Sequence, residues 1–435
     1  MGYALGVGLV LAIAAYLFLR WITLVKATKP ATEIDVTRVA LTVVAGVGGV
    51  VALVIAYRRQ RDLEQSRFVE RFGAAAAQLG ATDVAVRIAG VYAMAGVADE
   101  SDGLRRQQCI DVLCGYLRLP YSPELGGNHQ TKDIRKYRAA DLAGPENEQH
   151  FEYRQNDREV RATIVRVIAD HLRTSAEYSW STSDFDFRTA HLEDVDLSDV
   201  TFSGSARFNG ATFSGDARFD EATFSGPAGF DKATFSGDAR FNGATFSGYA
   251  GFYEATFSGY AGFVGATFSG DAGFIETTFS DPAVLNGATF SGDTWFDGAT
   301  FSGDTWFGRA TFSGDARFVG ATFSGDAGFV GATFSGDAGF GRATFSGDAR
   351  FGEATFSGDT WFTGASFSGP AGFDKATFSG TARFRAVIFG TETISFVSPK
   401  QWGPPVPVFD WDQDVSQKPA NVEPHDWPPA AAPAS

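Results

Sequence analysis

Sulfur is scarce in this 435-residue chain, which has two cysteines and two methionines. Cys109 and Cys114 are five residues apart in a segment of helical periodicity, so they point about 140° apart around the axis and do not bridge each other. No C-x-x-C pair and no Cys/His zinc spacing exists, and both read as reduced core thiols. Histidine is rare too. His129, His150, His171, His191 and His425 are scattered without ligand spacing, and His171 reads as a partly exposed helix residue. Basic residues number 36 against 51 acids, a net charge of −15. That excludes a general nucleic-acid-binding surface, because neutralising phosphates takes Lys and Arg. Nucleophile–His–acid groupings, phosphate loops and paired buried carboxylates are all missing. No catalytic, cofactor-binding or metal-ligating residue is therefore expected, and no enzyme.

Charge is also missing from two stretches near the start. Tyr3 to Leu19 is uninterrupted and apolar, prolonged by Trp21, Ile22, Leu24 and Val25, and Val39 to Tyr57 is a second such run. Each approaches the ~20 residues that cross a bilayer as a helix. The pattern predicts two transmembrane helices, 3–25 and 39–57, joined by a polar turn at Lys29-Pro30 within a domain of residues 1–57. A cleaved signal peptide fits less well, since no basic region precedes the first run and a second span follows. Arg20, Lys26, Lys29 and Arg38 lie between the runs, and Arg58, Arg59, Arg61, Arg67 and Arg71 follow them. Positive-inside counting favours a cytoplasmic bulk by that narrow excess, and the lack of a disulfide framework agrees. The expected partner of this region is the lipid bilayer of the cell membrane.

Residues 58–176 read as an α-helical linker domain. Leu63 to Leu79 stops at Gly80, and Thr82 is placed to cap a helix running to about Ala98. In Leu104 to Leu119, Ile110, Leu113, Cys114 and Leu117 form one stripe before Pro120. Asn156-x-x-Glu159 reads as a cap ahead of Val160, Ile164, Val167, Ile168 and Leu172. Tyr121 to Asn156 is polar and Gly-rich, a long loop. Arg105 and Arg106 read as a solvated helix face.

What the chain has in excess is phenylalanine, 42 copies, with 51 glycines. Such a bias reports a repeat. From Phe185 a five-residue rhythm (Phe187, Leu192, Leu197, Phe202) becomes an 11-residue unit of which ATFSGDARFNG is typical. One series is Phe202, Phe213, Phe224, Phe235, Phe246, Phe257, Phe268, Phe279, Phe290, Phe301, Phe312, Phe323, Phe334, Phe345, Phe356, Phe367, Phe378 and Phe389. The other runs Phe208, Phe219, Phe230, Phe241 and onward to Phe384, broken once by Leu285. An 11-residue apolar period also suits a right-handed helical coil, but about two Gly per unit with Thr, Ser and Asp reject a helix. Collagen fails because Gly is not at every third position. Short strands separated by corners remain. In Ala211-Thr212-Phe213 and Ala217-Arg218-Phe219, alternation turns Ala and Phe inward and Thr or Arg outward. Ser-Gly-Asp and Asn-Gly or Asp-Glu supply the bends.

These registered copies resemble the pentapeptide-repeat family, whose unit is A-[D/N]-L-x-x with Leu or Phe central. The resemblance implies a right-handed quadrilateral β-helix over 185–396 and hence an α+β multidomain chain. An extra residue in alternate faces makes a coil about 22 residues, giving eight to nine coils and a rod about 40 Å long. The layout of apolar hairpin, QRDLEQSRFVERF, VRIAGVYAMAGVAD, CIDVLCGYLRLPY and repeats also resembles a bacterial group of membrane-anchored pentapeptide proteins, which has no assigned activity. Solenoid ends need covers, and 180–200 and 394–402 are the candidates. Residues 397–435, rich in Pro and Ala, read as an extended, disordered tail.

Two surface features stand out. Asp271, Asp293, Asp315, Asp337 and Asp359 should stack in one column, and Asp304, Asp326 and Asp348 in another. Asp after Ser-Gly suits a corner acceptor of amide hydrogens, while Tyr249, Tyr260, Pro227, Pro282 and Pro370 interrupt both columns. Trp295, Trp306 and Trp361 stand where other units carry Arg218, Arg240, Arg317 and Arg350, the composition of a protein-binding surface. The expected role is a membrane-anchored, non-enzymatic scaffold for a protein partner. The alternative, implied by known pentapeptide proteins, is a DNA-mimicking modulator of a type II topoisomerase.

Overall fold

The computed structural model describes residues 33–121, 123, 132–137, 147–152 and 157–432, with residues 13, 17, 18 and 21. It divides into two compact units, Met1–Ala74 and Ala75–Ser435.

Helix α1 spans Glu33–Leu79, 47 residues without a break. The boundary expected at 57/58 falls inside it, because Ala56 to Asp62 contains no Gly or Pro to interrupt the backbone ladder. Its apolar half is bare, with Leu41 63% and Leu53 72% exposed. Among the described residues it is the one helix long and apolar enough to cross a membrane. The other expected span, 3–25, lies outside the described residues except for positions 13, 17, 18 and 21, so one candidate span is described where two are expected.

The second unit begins with three short helices, α2 (Val84–Asp99), α3 (Gly103–Leu117) and α4 (Asp157–Leu172). Asp83, not Thr82, caps α2, its carboxylate accepting from the amides of Ala85 and Val86. The expected cap Asn156 lies outside the described residues. The predicted stripe on α3 is buried, as are Val160, Ile164, Val167, Ile168 and Leu172 on α4. Gly90 admits the last turn of α1, since a Cβ there would lie 2.6 Å from the Leu79 nitrogen. Arg87 is fully buried and paired with Asp157 at 2.5 Å, and the Tyr116 hydroxyl bonds both. A buried charge persists only where such a partner neutralises it. Within the expected loop 121–156, β1 (Lys132–Tyr137) pairs antiparallel with β2 (Asn147–Glu152), with Lys136 against Glu148 at 2.8 Å.

From Phe185 the chain winds through four stacks of two-residue parallel strands, one strand of each per regular coil. The first face runs through Thr201–Phe202, the second through Ala206–Arg207, the third through Thr212–Phe213 and the fourth through Ala217–Arg218. Chain order sets the first face opposite the third and the second opposite the fourth. Partners lie 22 residues apart, as Phe235 with Phe257 and Ala239 with Ala261. The first coil keeps the shorter rhythm, with Phe185 opposite Ala206, and gains its extra residue at a bulge between Glu193 and Val195.

The two Phe series thus resolve into four columns. Rings one coil apart are parallel, from 4.5 Å between centroids (Phe213–Phe235) to 5.2 Å (Phe356–Phe378) in the regular array. That matches the ~4.8 Å rise between paired strands. Rings from the second and fourth faces interleave edge to face, as Phe241 does with Phe230 (5.5 Å, 86°) and Phe252 (5.8 Å, 89°). Edge-to-face contact favours the ring quadrupoles. Leu285 stands in the fourth column, fully buried. In each Ser-Gly corner the glycines stack so closely that a Cβ on Gly347 would lie 2.5 Å from the Gly325 carbonyl oxygen.

Both ends are covered, and each cover reaches beyond the segment expected, 394–402 forming part of the one at the far end. At the start, α3 and α4 lie on the first coil. Gln107 exchanges hydrogen bonds with the Asp184 backbone (2.7 and 2.9 Å), Arg161 donates to the His191 carbonyl (3.0 Å), and Arg118 pairs with Asp186 (2.6 Å). The helical domain is therefore the cap. At the other end the expected tail is structured through residue 432, because it continues the stacks. Gln401–Trp402 pairs with Thr377–Phe378, Val408–Phe409 with Arg383–Phe384, and Val422–Glu423 with Ile394–Ser395. Phe409 stacks on Phe384 at 4.7 Å, and Trp402, Trp411 and Trp427 close over it. The first face is ten strands deep and the second eleven, so the solenoid has about ten turns rather than eight to nine. At ~4.8 Å per strand its length is roughly 43–48 Å.

Phe323 is 1% exposed and Thr322 faces outward on the same strand. Phe323→Asp should cost roughly 4 kcal/mol or more by placing an unpaired charge among rings. Thr322→Asp should stay within about 0.5 kcal/mol. Circular dichroism melts of the two variants check this, and equal shifts would show that the facing of this strand is misassigned.

Candidate interaction surface

Inward positions and the Ser-Gly corners are dictated by packing, which leaves the outward side chain of each strand and the short corners free to vary. On the first and third faces that position is Thr in nearly every coil, as in Thr223, Thr245 and Thr267 or Thr234, Thr256 and Thr278. On the second it reads Arg207, Gly229, Gly251, Gly273, Trp295, Arg317, Gly339, Trp361 and Arg383 in successive coils. The fourth varies likewise, from Arg218 and Arg240 to Trp306, Gly328 and Arg350. Two opposite faces are thus nearly uniform hydroxyl ladders, and the variety lies on the other two and in the short corners that follow them.

A fold of this kind, four short parallel strands per coil with inward Phe and Ala, is matched by a family profile described as Pentapeptide repeats (9 copies). The matches cover residues 187–234, 208–256, 230–278, 252–300, 274–322 and 318–366. The solenoid is a pentapeptide-repeat domain. No curated protein and no solved structure matches the chain.

Within this pentapeptide-repeat solenoid the aspartate columns have a structural task. Asp271, Asp293, Asp315 and Asp337 each accept the backbone N–H 22 residues on, at 2.9–3.0 Å. Asp304 and Asp326 do the same on the opposite side of the coil. Coils present an amide at this corner that no strand partner satisfies, and the carboxylate below satisfies it. Tyr249 breaks this pattern, since Asp271 one coil above it has an N–H, but the prolines follow it. Pro282 stands one coil above Tyr260 and Pro227 one coil above Ser205, and proline has no N–H to satisfy. Pro370 likewise leaves Asp348 free, and Asp348 pairs with Arg350 at 2.8 Å. Asp359 accepts from the Thr381 amide (3.0 Å), which holds its carboxyl below the usual carboxylate range. These bonds favour corner capping over phosphate imitation as the reason for the columns.

The three tryptophans do not form one patch. Trp295 and Trp361 lie on the second face and Trp306 on the fourth, opposite them. Each is only half exposed, and the Trp306 and Trp361 indoles lie against the glycines of the next and previous coils, Gly328 and Gly339. A Cβ on Gly328 would meet Trp306 at 2.4 Å. Two of the three also carry a guanidinium. Arg350 lies 5.6 Å from the Trp306 ring while pairing with Asp326 and Asp348 (2.9 and 2.8 Å). Arg383 lies 5.8 Å from the Trp361 ring while pairing with Asp359 (3.3 Å). Each Trp follows a buried Thr (Thr294, Thr305 and Thr360) where other coils have Ala; nothing in the structure explains that pairing.

Among the remaining polar residues, His171 is partly exposed on its helix and both cysteines are unbridged in the core, as the sequence predicts, while their partners carry no local sequence signal. His171 stacks on Trp180 at 4.0 Å, and both bond Asp99, joining the ends of α2 and α4. His191 contacts the Ser214 hydroxyl (2.9 Å), His150 pairs with Glu148 (3.2 Å) and His425 is exposed. Burial pushes the Cys109 thiol up to about 11 and the Cys114 thiol up to about 12, so both are poor nucleophiles. A groove beside Gly115, Arg118, Arg188 and Asn209 is lined by two arginines that Asp186 already bridges.

Asp315→Asn keeps an oxygen for the Asp337 amide and should be neutral or slightly stabilising, as it relieves like charges. Asp315→Ala leaves that amide without its partner and should cost ~1 kcal/mol. Thermal melts check the order. For Asp359, whose folded pKa is depressed, the contribution is full above the unfolded value near pH ~4 and is lost as pH falls through the folded one. Asp359→Asn should therefore flatten the acid limb of a stability–pH curve.

Proposed function

We propose that the chain is a membrane-anchored, non-enzymatic scaffold that displays a right-handed quadrilateral solenoid to a protein partner. In this reading α1 and the apolar run 3–25 form the two spans, and the bulk of the chain is cytoplasmic. The supporting observation is the division of the solenoid surface. Side-chain variety, including half-exposed Trp, is concentrated on two faces and the short corners that follow them, while the other two faces repeat Thr, as expected where one surface is selected for recognition. The polar residues of the helical domain and the corners are occupied by structural bonds (Arg87–Asp157, Gln107–Asp184, the Asp–amide ladder). That leaves recognition, rather than turnover, as the use of the outward positions.

Alkaline carbonate washing should leave the chain in the membrane pellet and detergent should release it. Recovery in the carbonate wash would overturn the anchor. Proximity labelling from the full chain should enrich a set of proteins that a Phe323→Asp variant loses. An unchanged set would overturn the scaffold role.

A further inference from the structure

The guanidinium sites on Trp306 and Trp361 show how the chain covers two of its own outward indoles. In each, an outward indole meets an arginine from a later coil, and a column aspartate holds the arginine's nitrogen. Trp295 has the same setting without the cation. The arginine one coil above it, Arg317, turns away to Asp297 in the next corner, at 2.8 Å. Among the described residues no cation lies over Trp295, and none pairs with Asp271, Asp293 or Asp315, the three carboxylates stacked beside it. Each of these spends one oxygen on the amide of the coil above and keeps the other.

The surroundings point the same way. From Phe241 to Gly308 the sequence has no Lys, Arg or His, against seven Asp and Glu. Basic residues resume on both sides, at Arg240 and Arg309. This cation-free stretch occupies about three coils and also carries Tyr249, which is 47% exposed and reaches over Gly251 and Gly273 toward Trp295. Tyr249 and Trp295 are two coils apart, roughly 10 Å. An aromatic floor beside a row of unpaired carboxylates attracts a planar cation both through the ring face and through charge.

We propose that the second face around Tyr249, Asp271, Asp293, Trp295 and Asp315 is the docking site for an arginine-bearing segment of a partner protein. A guanidinium inserts over Trp295 as Arg383 does over Trp361. This deepens the scaffold reading and rests on it. It differs from imitation of DNA phosphates in requiring the indole and one face only.

The test uses the full chain in non-ionic detergent and a fluorescein-labelled peptide, (Gly-Arg)4, with its citrulline counterpart as the neutral isostere. Fluorescence anisotropy should show salt-sensitive binding of the arginine peptide and none of the citrulline peptide. The triple variant Asp271→Asn, Asp293→Asn, Asp315→Asn keeps the amide acceptors and should fold with an unchanged dichroism spectrum. It should bind about tenfold or more weakly. Trp295→Gly, which places the residue of the coil below (Gly273) at that position, should weaken binding about fivefold. Asp348→Asn, on the opposite face and already paired, should leave affinity within about twofold. Equal binding of both peptides, a triple variant within about twofold of wild type, or no binding up to about 1 mM would each overturn the proposal. Proximity-labelled neighbours that persist in the triple variant but vanish with Phe323→Asp would sink this site and leave the scaffold reading standing.

Discussion

Everything in the second unit depends on the match between two lengths: the spacing of paired strands and the stacking distance of aromatic rings. Strands separated by ~4.8 Å place a Phe of one coil directly above the Phe of the last. The rings meet at 4.5–5.2 Å with nearly parallel planes. A larger coil rise would open voids between the rings, and a smaller one would overlap them. Leu in the same position fills a column less specifically, and the single Leu285 shows that one such exchange is accommodated. Once the rings are fixed, alternation fixes the rest. The residue two before each Phe must be small, because it points into the same narrow interior, and the one between must face water.

The corners then carry the remaining constraints. Short corners adopt left-handed backbone, filled by Gly in some coils and by Glu221, Lys232, Glu276 or Arg309 in others. Long corners bring most glycines against the backbone carbonyl below, where a side chain is crowded; Asp281 takes that position between Gly259 and Gly303. The aspartate after that glycine satisfies the next coil's amide. The extra residue that separates this array from a plain five-residue rhythm is therefore not slack. It creates the Ser-Gly-Asp corner, with its own stacking and its own hydrogen bond.

Much of this was legible because the period is strict. Phe at every eleventh residue, Ala or Thr two before it and Ser-Gly after it specify the inward columns, the outward Thr and the corners without reference to any distant residue. What could not be read depends on contacts far apart in sequence. Gln107, Arg118 and Arg161 sit on ordinary helical faces, and nothing in their local pattern marks them as ligands of the first coil's backbone. Arg87 lay in an apolar helix, which hinted at burial, but its partners Tyr116 and Asp157 are remote. Proline content misdirected the reading of the C-terminal segment. The aromatic columns do continue there, but at widened intervals: Phe396 stacks on Phe373 and Phe409 on Phe384, 23 and 25 residues on, and Trp402 meets Phe378 edge to face 24 residues on, so the period of 22 no longer marks them. The continuity of α1 through residue 58 was likewise masked by the change from apolar to charged composition, which alters what the helix touches but not its backbone.

A consequence follows for where function can reside in such an array. Of the roughly eleven positions in a unit, the inward Phe and Ala, the stacked Gly and the capping Asp are all committed to the fold. The third and first faces repeat Thr with so little variation that one coil is indistinguishable from the next, so a partner bound there would have no preferred register. The second and fourth faces, with the short corners that follow them, change from coil to coil. Their changes are not scattered, because two of the indoles lie against glycines that make room for them and the same two are covered by arginines. A surface that answers its own exposed indoles with guanidinium and carboxylate has already shown its preferred complement. The one indole it leaves uncovered is the position where a second molecule can supply that complement and be held in a single register.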